Sequence, residues 1–192
     1  MSRLPFAVLA VCVELTGCRF DLPASNPDAI GSQTDAAVDA VPTVDCPVGY
    51  GPIRGIGMYR VVETTAQTWQ AAAGDCNDDD DVGGPYRRFT HLVVLGNETE
   101  RTTITGAGTP ITGLTWIGLG DLGTEGTYTW VTSEPTGGYP MVGMKPPWDS
   151  DDPDNAGGFE DCIRFKNDYT LEDKPCTDTQ SYVCECDAFP PI

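Results

Sequence analysis

The sequence predicts an α+β domain with two helices, several short strands and a long loop region, stapled by disulfides; three observations point there. Two helix-like segments are interspersed among short β-branched and aromatic runs. Residues 133–175 are rich in Gly, Pro and Asp, yet they carry the apolar anchors Trp148, Phe159, Ile163 and Phe165. Six cysteines, an even number, lie between Cys46 and Cys186.

The chain of 192 residues begins with an address. Arg3 is followed by an apolar run over 4–13 and then by small residues, the shape of an export signal and too short to span a bilayer. Leu15-Thr16-Gly17-Cys18 resembles the lipobox of bacterial lipoproteins, although Glu14 in the apolar run departs from it. The resemblance implies a signal peptide over 1–17 and lipidation of Cys18, where several acyl chains anchor stably and one would not. Arg19 after the cysteine implies sorting to the outer membrane, hence the cell surface of a bacterium. Residues 18–45 show no amphipathic period, and 19–45 set five aspartates against one arginine. Such a segment buries too little apolar surface to order itself and reads as an acidic flexible linker.

The folded part is expected over 46–192. Residues 59–63, "YRVVE", read as a strand, and 65–76, "TAQTWQAAAGDC", as a helix capped by Thr65 or Thr68. Residues 77–88, "NDDDDVGGPYRR", are a solvated acidic loop. "THLVVL" (90–95) is a second strand, in which His91 is most simply a strand residue. Residues 97–105 start a second helix with Asn97 as its cap. "TWIGLG" (115–120), "TYTWVT" (127–132) and "QSYVCEC" (180–186) are strands.

A net charge of −18 leaves no basic surface for phosphates, which excludes nucleic acid as a partner. The six cysteines allow fifteen pairings and are not spaced as zinc ligands. The stretch "WDSDDPDNAGGFEDC" (148–162) crowds six carboxylates into fifteen residues. Either it is a solvated acidic loop, or it is half of a site that needs negative oxygen ligands. A loop of some forty residues that is stapled and anchored by aromatics is usually functional.

At this point the residues resemble the C-type lectin-like family over roughly 46–186. "TWQAAAGDC", "WIGL" and the series Trp148, Asp152-Pro153-Asp154, Glu160-Asp161-Cys162, Leu171-Glu172-Asp173, Cys176 and Cys184 follow its order and spacing. The resemblance implies Cys76–Cys184 and Cys162–Cys176 disulfides, which leaves Cys46 and Cys186 to tie the domain's start to its last strand. It further implies one or two Ca²⁺ ions as cofactor. Asp152, Asp154, Glu160, Glu172 and Asp173 match the family's ligand-binding calcium site, with Pro153 in the cis form. Asp121, Glu125, Asn155, Glu160 and Asp161 match a second, structural one. Hard oxygens at this density are what Ca²⁺ requires.

The family's sugar site grips a hydroxyl between a carboxylate and an amide beside the ion. Here Asp152 is one methylene shorter than the usual glutamate, and Asp154 and Glu172 lack the amide donor. Leu171 stands where tryptophan is usual. The expected function is calcium-dependent carbohydrate recognition at the cell surface. The alternative is a calcium-stabilised protein-binding or adhesion module, favoured by the Met- and Pro-rich stretch 137–148. Expected partners are a glycan or a surface protein, with the membrane reached through the lipid anchor only. No enzyme is expected: the acids fall on metal-ligand positions, and neither a Gly-x-Ser-x-Gly elbow nor a phosphate loop is present.

Overall fold

The computed structural model describes residues 45–79 and 89–192. The expected signal peptide, Cys18, the 18–44 linker and residues 80–88 of the acidic loop lie outside these.

The chain opens with a hairpin of β1 (Gly51–Ile53) and β2 (Ile56–Gln67). Strand β2 runs through 65–67, where a helix was expected. The reason is tertiary: Gln67 pairs with Gln180 in the sheet, and its carbonyl accepts from Trp116 Nε1 at 3.0 Å. Helix α1 (Trp69–Asp78) therefore starts after Thr68, whose side chain accepts from Ala71 N at 3.3 Å as an N-cap. Next come β3 (Thr90–Leu92) and α2 (Glu98–Ile104), the latter capped by Asn97 accepting from Glu100 N at 3.0 Å. β4 (Thr115–Gly120) is buried throughout, and only β5 (Thr129–Trp130) forms within the expected 127–132 strand.

The 133–175 region is less irregular than its composition predicts. After a 3-10 turn at Ala156–Gly158, β6 (Cys162–Phe165) and β7 (Leu171–Lys174) form a hairpin. The final strand, β8 (Gln180–Cys186), lies at the centre. The order β1-β2-β8-β4-β6-β7 makes one connected sheet, with β3 also on β8 and β5 on β4. All pairings are antiparallel except β4 with β8.

One core gathers Leu95, Ile104, Ile117, Trp148, Phe165 and Val183. A second packs Trp69, Ala72, Leu92, Trp116 and Tyr182 between α1 and the sheet. Gly118 is required where β4 crosses the chain after β3, since a Cβ there would lie 2.7 Å from Leu92 O. Three disulfides staple the domain: Cys46–Cys186, Cys76–Cys184 and Cys162–Cys176. Each contributes about 2–4 kcal/mol, most for the long loops of 140 and 108 residues. The third closes the β6–β7 hairpin beneath the acid-rich loop.

Candidate functional site

The β6–β7 hairpin and the loop before it position the acidic side chains. Alternation along β7 aims Glu172 and Lys174 to one side and Asp173 to the other. Asp173, fully buried, accepts from Asp154 N at 3.1 Å and Asn155 N at 2.8 Å, so its carboxylate organises the loop that crosses it. The Asp152–Pro153 peptide is cis. One carboxylate oxygen each from Asp152, Asp154 and Asp173 lies within 4.8 Å of the others, with Asp152 and Asp173 buried and Asp154 exposed. Burial pushes Asp152 up to about 6, with Asp173 and Glu172 adding to the rise and Lys166 opposing it.

Glu160 and Glu172 do not close into that group. Glu160 accepts from Ala156 N at 3.1 Å and pairs with Lys174 Nζ at 3.3 Å. Glu172 accepts from Arg164 Nε at 2.9 Å and lies 3.5 Å from Lys174 Nζ. Lys166 pairs with Asp149 and stands 3.7 Å from Asp152. No sequence expectation includes these three cations, since a ligand set for calcium is made of oxygens alone. The alternation of Arg164, Lys166, Glu172 and Lys174 across a hairpin closed by Cys162–Cys176 was the available signal. Burial opposes the charge on Lys174, but the Glu172 and Glu160 carboxylates outweigh it and hold its pKa above the usual lysine value.

Near the end of β4, Asp121 is buried, and its Oδ2 accepts from Gly126 N at 2.7 Å. Its Oδ1 is buried with no hydrogen-bond partner. Desolvation and then the charges of Asp121, Asp161 and Asp173 hold the exposed Glu125 above the usual carboxylate range. Asp161 joins this neighbourhood through its carbonyl, which accepts from Asp121 N at 3.0 Å. Asn155 spends its Oδ1 on Glu160 N at 3.1 Å.

The donor chemistry fits calcium. Three converging carboxylate oxygens, and a buried Asp121 oxygen left without a donor, are hard ligands whose repulsion a divalent cation offsets. Apolar surface is also present nearby: Met141, Val142 and Phe159 are exposed, at 62%, 57% and 60%.

The family described as the lectin C-type domain matches residues 65–186. Perlucin from Haliotis laevigata is 27% identical over 150 residues, which span 76% of this chain and 85% of perlucin. A hemolymph lipopolysaccharide-binding protein from Periplaneta americana is 30% identical over 76% of this chain, a match spanning 54% of that protein. Among solved structures, the C-type lectin CEL-I from Cucumaria echinata superposes with a TM-score of 0.56 at 26% identity, over 73% of this chain and 96% of its own.

Proposed function

Because the chain belongs to the C-type lectin domain family, we propose that its folded part is a calcium-dependent carbohydrate-binding module displayed at the cell surface. The observation that carries the reading is the convergence of Asp152, Asp154 and Asp173 oxygens within 4.8 Å of one another at an exposed loop. Asp152, Asp154 and Asp173 would hold one Ca²⁺, with Glu160 and Glu172 joining once they turn from Lys174 and Arg164, and Asp121, Glu125, Asn155, Glu160 and Asp161 would hold a second. When bound, calcium supplies coordination to sugar hydroxyl oxygens. This chain's own residues do the rest. The exposed Asp154 accepts a hydroxyl proton in a hydrogen bond. The donors lost with the family's amides are replaced by the ammonium of Lys174, 3.3 Å from Glu160 and 3.5 Å from Glu172. The module binds and orients a ligand, as non-enzymatic members of the family do.

The three disulfides support an exported protein, since such bonds persist in oxidising compartments. The proposed anchor is lipid on Cys18 after removal of 1–17, with 18–45 as spacer, on a bacterial cell surface. The relatives described above are animal proteins, so the lipobox rests on the sequence alone. Mass spectrometry of the mature N-terminus tests it: a diacylated or triacylated Cys18 supports the anchor, and an unmodified N-terminus overturns it.

The functional test is a glycan array probed with the oxidised protein in millimolar calcium and again in chelator. Binding of a neutral sugar that vanishes in chelator is expected. A second reading, a protein ligand with calcium as scaffold, is favoured by the exposed Met141 and Val142. No glycan signal, together with a melting temperature that still rises with calcium, would select that reading.

A further inference from the structure

Outside the acid-rich loop, two paired strands bring together a second set of metal-ligating side chains. β3 and β8 pair with His91 opposite Glu185, and Asp187 follows two residues later, its N–H donating to Phe89 O at 2.9 Å. Cross-strand partners and i, i+2 neighbours share one face of a sheet. One donor atom each of His91, Glu185 and Asp187 lies within 4.8 Å of the others. His91 is fully buried and Glu185 is 5% exposed.

The imidazole geometry calls for a cation. Leu92 O can only accept, so His91 Nδ1, at 2.9 Å from it, carries a proton. His91 Nε2 then faces Asp187 Oδ1 at 3.1 Å, lone pair toward lone pair unless a proton or metal ion joins them. Glu185 Oε2 accepts from Val94 N at 3.0 Å, Asp187 Oδ1 from Phe189 N at 2.6 Å and Glu100 from Tyr59 Oη and Gly96 N, and beyond these neutral donors a single proton on the imidazole offsets one charge. Glu100 and Glu134 close on the same space: a Cβ on Gly96 would lie 3.2 Å from Glu100 Oε2 and 3.3 Å from Glu134 Oε1. Glu134 Oε2 is buried and accepts no hydrogen bond. An open pocket of about 370 Å³ beside the three residues is lined by Tyr59, Glu100, Glu134, Glu185, Asp187 and Phe189, among others. Among the described residues, every lysine and arginine ion pair falls on other carboxylates, or on Glu98 of α2. Carboxylates buried without a cation carry a large desolvation cost, which falls here on Glu185 above all.

We propose that His91, Glu185 and Asp187 hold a divalent transition-metal ion of the zinc type. An imidazole nitrogen with two carboxylates suits Zn²⁺, whereas Ca²⁺ takes oxygen ligands in larger number. A tetrahedral zinc site holds its donor atoms about 3.3 Å apart, which small side-chain rotations reach from the observed spread. The ion links β3 to β8 and the residue that follows it, and it is independent of the calcium reading of the acid-rich loop.

The test uses the purified full-length protein in saturating CaCl₂, dialysed against Zn²⁺ and read by metal content and X-ray absorption at the zinc edge. One zinc per chain with an imidazole nitrogen in its shell is expected. His91→Gln and Asp187→Asn should each weaken zinc uptake at least about 100-fold while calcium uptake is unchanged. No stoichiometric zinc, a shell of oxygens only, or uptake lost in Asp152→Asn and kept in His91→Gln would overturn the proposal. Should both variants fail to fold, the wild-type absorption spectrum decides by the presence or absence of nitrogen.

Discussion

The two acidic regions of this molecule are built by opposite means. In the loop, the acids from Asp149 to Asp173 are close in sequence, and Arg164, Lys166 and Lys174 of the same hairpin stand among them. At the sheet, Glu100, Glu134 and the pair Glu185 and Asp187 are carried in from three segments around His91, with no lysine or arginine pairing among the described residues. Burial, then the charges of Asp187 and Glu100, push Glu134 up to about 7, and burial drives Glu185 well above the carboxylate range. The loop keeps its charge by supplying its own counter-ions, which an incoming cation must displace. The sheet cluster has none among the described residues, so protons take up part of its charge there. Like residues thus give a loop site with counter-ions built in and a sheet site without them among the described residues.

The strongest way to break the comparison is Asp173→Ala. It removes the acceptor of two backbone N–H groups and one of the three converging carboxylates, so about 2–4 kcal/mol of stability should be lost. The calcium-induced rise in melting temperature should vanish with it, while zinc uptake stays intact; loss of both metals would mean the regions are not separate. Replacing Cys46 and Cys186 together by serine comes next. A melting curve should show a loss of about 2–4 kcal/mol, and zinc binding should weaken because Asp187 adjoins the bond, with calcium binding preserved.

Lys174→Met sharpens the loop side of the contrast. Without its ammonium, Glu160 and Glu172 become free for calcium, and calorimetry should find affinity tightened about fivefold, the scale of a partly exposed ion pair. Glycan binding should weaken at the same time, since the donor goes with it; unchanged sugar affinity would remove Lys174 from the ligand site. The smallest effect is that of pH on the calcium-free protein. Asp152 titrates near 6 when folded against about 3.9 unfolded, so between these values the folded state holds more protons. Its contribution to stability therefore improves as pH falls from 7 toward 4, whereas calcium affinity falls below pH 6 because the ion needs the carboxylate ionised. Denaturant melts at pH 5 and 7, with and without calcium, should show opposite signs; equal signs would place Asp152 outside the calcium site.

Much of the loop was legible because its residues are near one another in sequence. Asp152-Pro153-Asp154 and Glu172-Asp173 stand at spacings that a resemblance can carry, Asn97 announces its helix start, and Thr68 is one of the two caps the sequence offers for the other. The hairpin inside 133–175 was not legible, because "CIRF" and "LEDK" are short and lie amid Gly and Pro; pairing across the sheet, not local preference, makes them strands. Residues 65–67 misled for the same reason.

By itself the sequence determined an α+β chain with a stapled, acid-rich loop, since composition, caps and cysteine count act locally. Only the tertiary structure decided which cations stand among those acids, and that His91, read as a plain strand residue, faces the glutamate of "CEC" and Asp187. Strand register sets that meeting, across more than ninety residues of chain, and no local pattern encodes it.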